Sequence, residues 1–188
     1  MDIVLASGSP RRKELLETLG LEFTICPAKG EECPPQGMGP DETVKVLSLA
    51  KAREVAQVYP EALIIAADTI VWADSRILGK PRSEAQAEEM LALLSGSSHE
   101  VYTGVTLICG EKTVCRSECT KVFFRDLSDG EIRAYVKTGE PMDKAGAYGI
   151  QGRAAMMVRR IEGDYFNVMG LPLCALGQML EQIGVQLF

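Results

Sequence analysis

Three groups of residues stand where only their chemistry explains them. The first is Ser7-Gly8-Ser9-Pro10-Arg11-Arg12-Lys13, where a short apolar stretch meets a small-residue turn and a helix start. A helix N-terminus presents backbone N–H groups and the positive end of its dipole, so this junction favours a phosphate. Three cations in the first turn oppose that dipole unless an anion joins them; the competing reading is a solvated charge run on an exposed face.

The second is Lys51. If 41–58 is a helix, Val44, Leu47, Val55 and Val58 fall in one stripe at about 100° per residue, with Lys51 at its centre. Such a lysine either snorkels to water or meets an anion. As an isolated desolvated cation it is replaceable by Met without loss of stability.

The third is Asp68, inside ALIIAADTIVW (62–72), the most apolar stretch of the chain. A carboxylate there is costly unless paired, hydrogen-bonded or bound to a metal. Alternatively the strand stops at Ala67 and Asp68 opens a solvated loop. Thr69 beside it also suits a strand as β-branched filler.

Glu31, Glu32 and Lys80 complete the set, though each alone also reads as a surface charge. Carboxylates lacking histidine or cysteine partners suit a divalent metal such as magnesium, manganese or cobalt, with substrate phosphates sharing the coordination. Lys80, held extended by Pro81, projects from a hairpin end. The sole histidine, His99, has no Ser/Asp neighbour and reads as structural. No Ser-His-Asp or Cys-His arrangement assembles, and the GxxxxGK[ST] and GxGxxG phosphate loops are absent. What remains is phosphate-directed chemistry by carboxylates, a metal and basic side chains.

These residues need elements to hold them. A strand over 2–6 leads into a helix capped by Ser9 with Pro10 in its first turn and closed by Gly20. A strand near 21–26 and a Pro/Gly-rich loop, 27–40, follow; a loop of that length is more often functional than idle. Asp41 caps a helix to about Val58, and 62–72 is a doubly covered central strand. A hairpin turn at 73–76 returns through Ile77 and Leu78. Ser83 caps a helix to about Leu94, strands occupy 99–109 and 112–125, and Ser128 caps a helix to about Lys137. The segment 138–153 is irregular, 154–161 is a strand, and 172–183 is the last helix. The expected class is α/β, a single domain over 1–188 with a long mixed sheet flanked by helices.

Composition sets the outer limits. Apolar residues at 46% and charged residues at 24% mark a globular chain. A net charge of −6 argues against a broad nucleic-acid surface, so an anionic ligand needs a local basic cluster. No apolar run approaches the roughly 18 residues that span a bilayer, and the N-terminal order of charge and apolar residues inverts a signal peptide. The expectation is a cytoplasmic protein with its six cysteines reduced, binding neither membrane nor nucleic acid.

In order and spacing, LASGSPRRKELL (5–16), LAKA (49–52), AADTIVW (66–72), LGKP (78–81), TGVTL (103–107), TGEPMDKAGAYGIQGRAA (138–155) and NVMGLPL (167–173) resemble the Maf family of nucleoside triphosphate pyrophosphatases. The resemblance implies a fold similar to the inosine triphosphate pyrophosphatases, a homodimer, a divalent metal cofactor and a nucleoside triphosphate substrate. It implies Asp68 as the proton acceptor that activates water and also as a metal residue. Ser7, Arg12, Lys51 and Lys80 match positions that hold the triphosphate, with Arg11 beside them as a further substrate-binding candidate. Arg12, Thr69 and Gln151 match positions that influence base choice. Glu32 matches an acidic position near the metal, and Glu31 receives no role. The form KAGAYGIQG (144–152) is similar to the branch acting on thymidine and uridine triphosphates. Two other readings accompany the family: a nucleotide-binding regulator of septum formation, and a sibling enzyme acting on 7-methylguanosine or inosine triphosphates.

Overall fold

The computed structural model describes residues 1–30 and 37–185. Its strands form a seven-stranded mixed sheet in the order β2-β1-β3-β5-β6-β7, with β4 paired to β3. The residues group into two compact units, one of Met1–Asp68, Thr103–Glu118 and Gly170–Phe188, the other of Thr69–Tyr102 and Cys119–Met169. Three strands contribute to both: β3 (Leu63–Ala73), β5 (Ser98–Cys109) and β6 (Lys112–Phe124).

In the first unit β1 (Ile3–Leu5) pairs in parallel with β2 (Thr24–Ile25) and with β3, in the register Val4↔Thr24 and Val4↔Ile64. Parallel neighbours need a crossover, and α1 (Pro10–Thr18) and α2 (Pro40–Ala56) supply helices for it. Ser9 stands extended at the start of α1 with Pro10 at its first position. Gly20, at φ 69°, turns the chain away after it. α2 departs from expectation at both ends. Gly39 is its N-cap and Pro40 opens it, so Asp41 lies in the first turn rather than capping. It ends at Ala56, which leaves Val58 outside the helix and 65% exposed.

Side chains alternate along β3, and both faces are covered: Leu63, Ile64 and Ile65 are fully buried. Ile64 and Ala66 pack with Ala52 and Val55 of α2 and with Val4 and Ala6. Asp68, two residues on, continues the face that α2 covers. α2 also rests directly on β5: a Cβ at Gly104 would lie 2.2 Å from the Val44 carbonyl oxygen. The last helix, α6 (Leu173–Ile183), follows Pro172 and ends at Gly184, φ 90°.

The second unit holds β4 (Arg76–Leu78), α3 (Glu84–Leu94), α4 (Asp129–Val136), β7 (Val158–Glu162) and α5 (Tyr165–Met169). Asp74 and Ser75 at φ 49° and 58° make the β3–β4 turn. Ser83 caps α3 by accepting the Gln86 N–H at 3.2 Å, and Ser128 forms a reciprocal capping box with Glu131 on α4. The core gathers Leu91, Leu94, Val101, Val122, Phe124, Ile132 and Tyr135. The irregular segment resolves into three 3-10 turns, Glu140–Asp143, Ala145–Ala147 and Gly152–Met156. The last of these corrects the expected strand start at Ala154: β7 begins only at Val158. α5 was not anticipated, being a five-residue helix too short to show periodicity.

Among the described residues no helix is long and apolar enough to cross a membrane. Cys26, Cys109, Cys115 and Cys174 are free thiols.

Candidate active site

The first unit contains five of the candidates. Ser7 follows the end of β1, whose ladder extends through the Ala6 N–H to Ile65 C=O bond at 2.8 Å. Its buried hydroxyl accepts the Ser9 N–H at 3.2 Å and Arg12 Nη1 at 3.1 Å. Arg12 Nε donates to the Gly170 carbonyl at 2.7 Å, so one guanidinium joins the turn after β1 to the chain just before α6. Arg11 is half-buried beside it on the first turn of α1. This is the basic junction read from the sequence, with one added partner. Gly170 lies within the NVMGLPL segment, yet a backbone carbonyl carries no residue-type signal.

Asp68 is 5% exposed and lies within β3, which settles that the strand does not stop at Ala67. Lys51 Nζ donates to Asp68 Oδ1 at 2.5 Å. Lys51 therefore meets an anion, and the anion is in the chain itself. Helical phase explains how: Ala52 and Val55 pack against Ile64 and Ala66, which aims the neighbouring Lys51 at the next residue on that face of β3. The pairing alters the expected tolerance to Met, because the lysine is not isolated. Glu54, which carried no expectation, accepts the N–H groups of Lys29 and Gly30 at 2.6 and 3.0 Å. Those two bonds hold its carboxyl below the usual range. Glu31 and Glu32 lie outside the described residues.

The second unit holds Thr69, Lys80 and Gln151. Thr69 follows Asp68 on β3 and projects to the opposite face. Lys80 is exposed just beyond β4, and the preceding Gly79 carbonyl accepts the Gly146 N–H at 3.1 Å. Gln151 is half-buried at the start of the turn Gly152–Met156. The bond at Gly79 thus ties the residue next to Lys80 to the segment that carries Gln151.

That segment is held by groups outside the predicted site, the structural histidine among them. Tyr148 is buried, and its hydroxyl lies 2.7 Å from His99 Nε2. Phe124 packs edge-on against both rings. Burial pushes His99 down to about 4, so its imidazole is neutral near pH 7, as a structural histidine should be. Tyr135 donates its hydroxyl to Glu140 Oε1 at 3.1 Å, and Glu140 Oε2 accepts the Arg153 N–H at 3.3 Å.

A family model described as Maf-like protein matches residues 2–183. The chain belongs to the Maf family. Among its Maf relatives, a protein of Bacillus cytotoxicus named dTTP/UTP pyrophosphatase is 51% identical, over 95% of this chain and 94% of the relative. One of the same name from Moorella thermoacetica is 52% identical, over 99% and 97%. In three dimensions this Maf chain is similar to the Staphylococcus aureus Ham1 protein, with TM-score 0.54, 14% identity, and 97% of this chain and 100% of that one covered. A HAM1 protein of Coxiella burnetii gives TM-score 0.51 at 17% identity, covering 97% and 99%. At such identities these structures speak for the fold alone, which is the α/β mixed-sheet class expected of a Maf sequence.

Proposed function

We propose that the chain hydrolyses dTTP and UTP to the nucleoside monophosphate and pyrophosphate. The observation that carries this is the buried Lys51–Asp68 pair, in a chain about half identical to proteins named dTTP/UTP pyrophosphatase over nearly all of its length. A pure nucleotide binder needs basic groups but has no use for a carboxylate buried beside one, so the pair favours hydrolysis over the regulatory reading.

In this reading Asp68 orients the attacking water and takes its proton, and the in-line attack falls on the α-phosphorus. Lys51 offsets the charge of Asp68 where little water remains to do so. Ser7, Arg11, Arg12, Lys51 and Lys80 bind and orient the triphosphate. Thr69, Arg12 and Gln151 bear on the choice of base: the Gln151 amide combines N–H donors with a carbonyl acceptor, matching the carbonyls and N3–H on the edge of uracil or thymine.

A divalent metal belongs to this reading. Carboxylate oxygen suits magnesium, manganese or cobalt, and magnesium is commonly held by one or two carboxylates plus substrate phosphates. The described residues include no group of three or more His, Cys, Asp or Glu placed to hold an ion, so their contribution is Asp68; Glu32 is the second candidate. When bound, the ion neutralises phosphate charge. The chain acts as one functional domain, consistent with a family match over 2–183, and as a homodimer, following the family resemblance. The free thiols suit the reducing cytoplasm.

Hydrolysis of dTTP in ¹⁸O-labelled water tests the reaction. The expected products are labelled dTMP and unlabelled pyrophosphate. Formation of dTDP and orthophosphate would place attack at the γ-phosphorus and overturn the assignment.

A further inference from the structure

The segment Gly149–Arg153 is gripped on both sides of Gln151. Two residues before it, Gly149 lies against the Lys144 stem, where a Cβ would fall 2.8 Å from Cδ. Two residues after it, the Arg153 N–H reaches Glu140 Oε2 at 3.3 Å. Both anchors lead to Glu140, whose carbonyl accepts Lys144 Nζ at 2.7 Å and whose Oε1 accepts the Tyr135 hydroxyl at 3.1 Å. Between them, Gly152 sits at φ 79° against the same carboxylate, and a Cβ there would fall 2.9 Å from Oε1.

We propose that Tyr135 and Glu140 are positioning residues that brace this segment from behind, and that base discrimination depends on the brace. The proposal rests on the reading of Gln151 as the residue that meets the base edge. Discrimination by hydrogen bonding requires the amide to be held to within about half an ångström, since a loose polar group adapts to the wrong edge as readily as to the right one. Residues 148–151 form no regular element and lead into a short 3-10 turn, so their precision must come from outside them. The brace supplies it through one carboxylate, itself held by one hydroxyl. Tyr135 is buried, and burial together with the Glu140 charge pushes its hydroxyl well above the usual range, so it remains a donor at every working pH.

The test compares kcat/KM for dTTP, UTP, dCTP and dGTP in wild type, Tyr135→Phe, Glu140→Gln and Gln151→Ala, with Tm measured for each. Tyr135→Phe keeps the ring and removes the hydroxyl that holds the Glu140 carboxylate. Glu140→Gln keeps the shape but has one acceptor oxygen for two donors. In both, the dTTP-to-dCTP ratio of kcat/KM is expected to fall about tenfold, the worth of a hydrogen bond or two, mainly through a higher KM for dTTP. A merely structural role would slow all four substrates alike, and an unchanged ratio in a folded variant overturns the brace. If Tyr135→Phe does not fold, Glu140→Gln decides alone. Gln151→Ala separates the two levels: an intact preference there overturns the base-reading assignment itself, whereas lost preference there with intact preference in Glu140→Gln overturns only the brace.

Discussion

Lys51 Nζ lies 2.5 Å from Asp68 Oδ1, with the two side chains only 15% and 7% exposed. A pair this withdrawn from water is worth little against an apolar substitute, but removing one member strands the other. Lys51→Met should therefore lower unfolding stability by about 3 kcal/mol, and the double variant Lys51→Met/Asp68→Asn should recover most of that loss. Urea denaturation measures both. Asp68→Asn alone keeps the side-chain shape, and kcat should drop by about 10² or more while the fold persists. A Lys51→Met protein as stable as wild type would show that the pair is not coupled.

Arg12 uses its fork twice, on Ser7 Oγ and on the Gly170 carbonyl. A lysine keeps the charge but cannot span both acceptors. Arg12→Lys should reduce kcat/KM for dTTP about tenfold or more, as expected for losing one or two hydrogen bonds. Steady-state kinetics at fixed metal concentration would reveal it, and undiminished activity would reduce Arg12 to a point charge.

Chelation should abolish hydrolysis, and magnesium, manganese or cobalt should restore it. Full turnover in excess chelator contradicts a carboxylate–metal site and leaves Asp68 as base alone.

His99 makes acid stability asymmetric. Its ordinary value is about 6.5, while burial lowers it to about 4 in the folded protein. Between those values the unfolded chain binds a proton that the folded chain refuses, so stability rises with pH through that window. Acidifying from pH 7 to 4 should cost about 3 kcal/mol from this residue. Glu131 runs in a lower window: Arg125 and the Ser128 cap hold it at about 2, so its contribution is complete above its unfolded value and fades as pH falls towards 2. Urea titrations of wild type and His99→Gln at pH 7, 5.5 and 4.5 separate the two. A wild-type curve no steeper than the variant's rules out a contribution from His99.

Local chemistry was legible and distant partnership was not. Asp68 stood out because a carboxylate between Ala67 and Ile70 contradicts its surroundings, and Lys51 because it breaks an apolar stripe. Their mutual bond depends on how α2 packs on β3, which no local pattern states. Val58 was misplaced because the periodic pattern outruns a helix that ends at Ala56. The Asp41 cap gave way to Gly39 because Pro40 suits the first helical position better than the N-cap. Ala154 has strand-like neighbours, yet Gly152 at φ 79° starts a 3-10 turn that runs to Met156. Glu140 lay in plain view within TGEP, but its role appears only once the chain returns to place Arg153 against it. Arg12 and Gly170 are 158 residues apart.

The bare backbone at Gly104 governs more than local packing. Lys51 lies seven residues beyond Val44, two helical turns along nearly the same face, so the depth at which Val44 seats on β5 sets the height of the ammonium about 10 Å further along the axis. An added methyl at 104 works as a shim under that helix. Gly104→Ala would tilt α2 and draw Lys51 away from Asp68 without touching either residue. The glycine of TGVTL is in that sense a calibration mark for a charge pair it never meets.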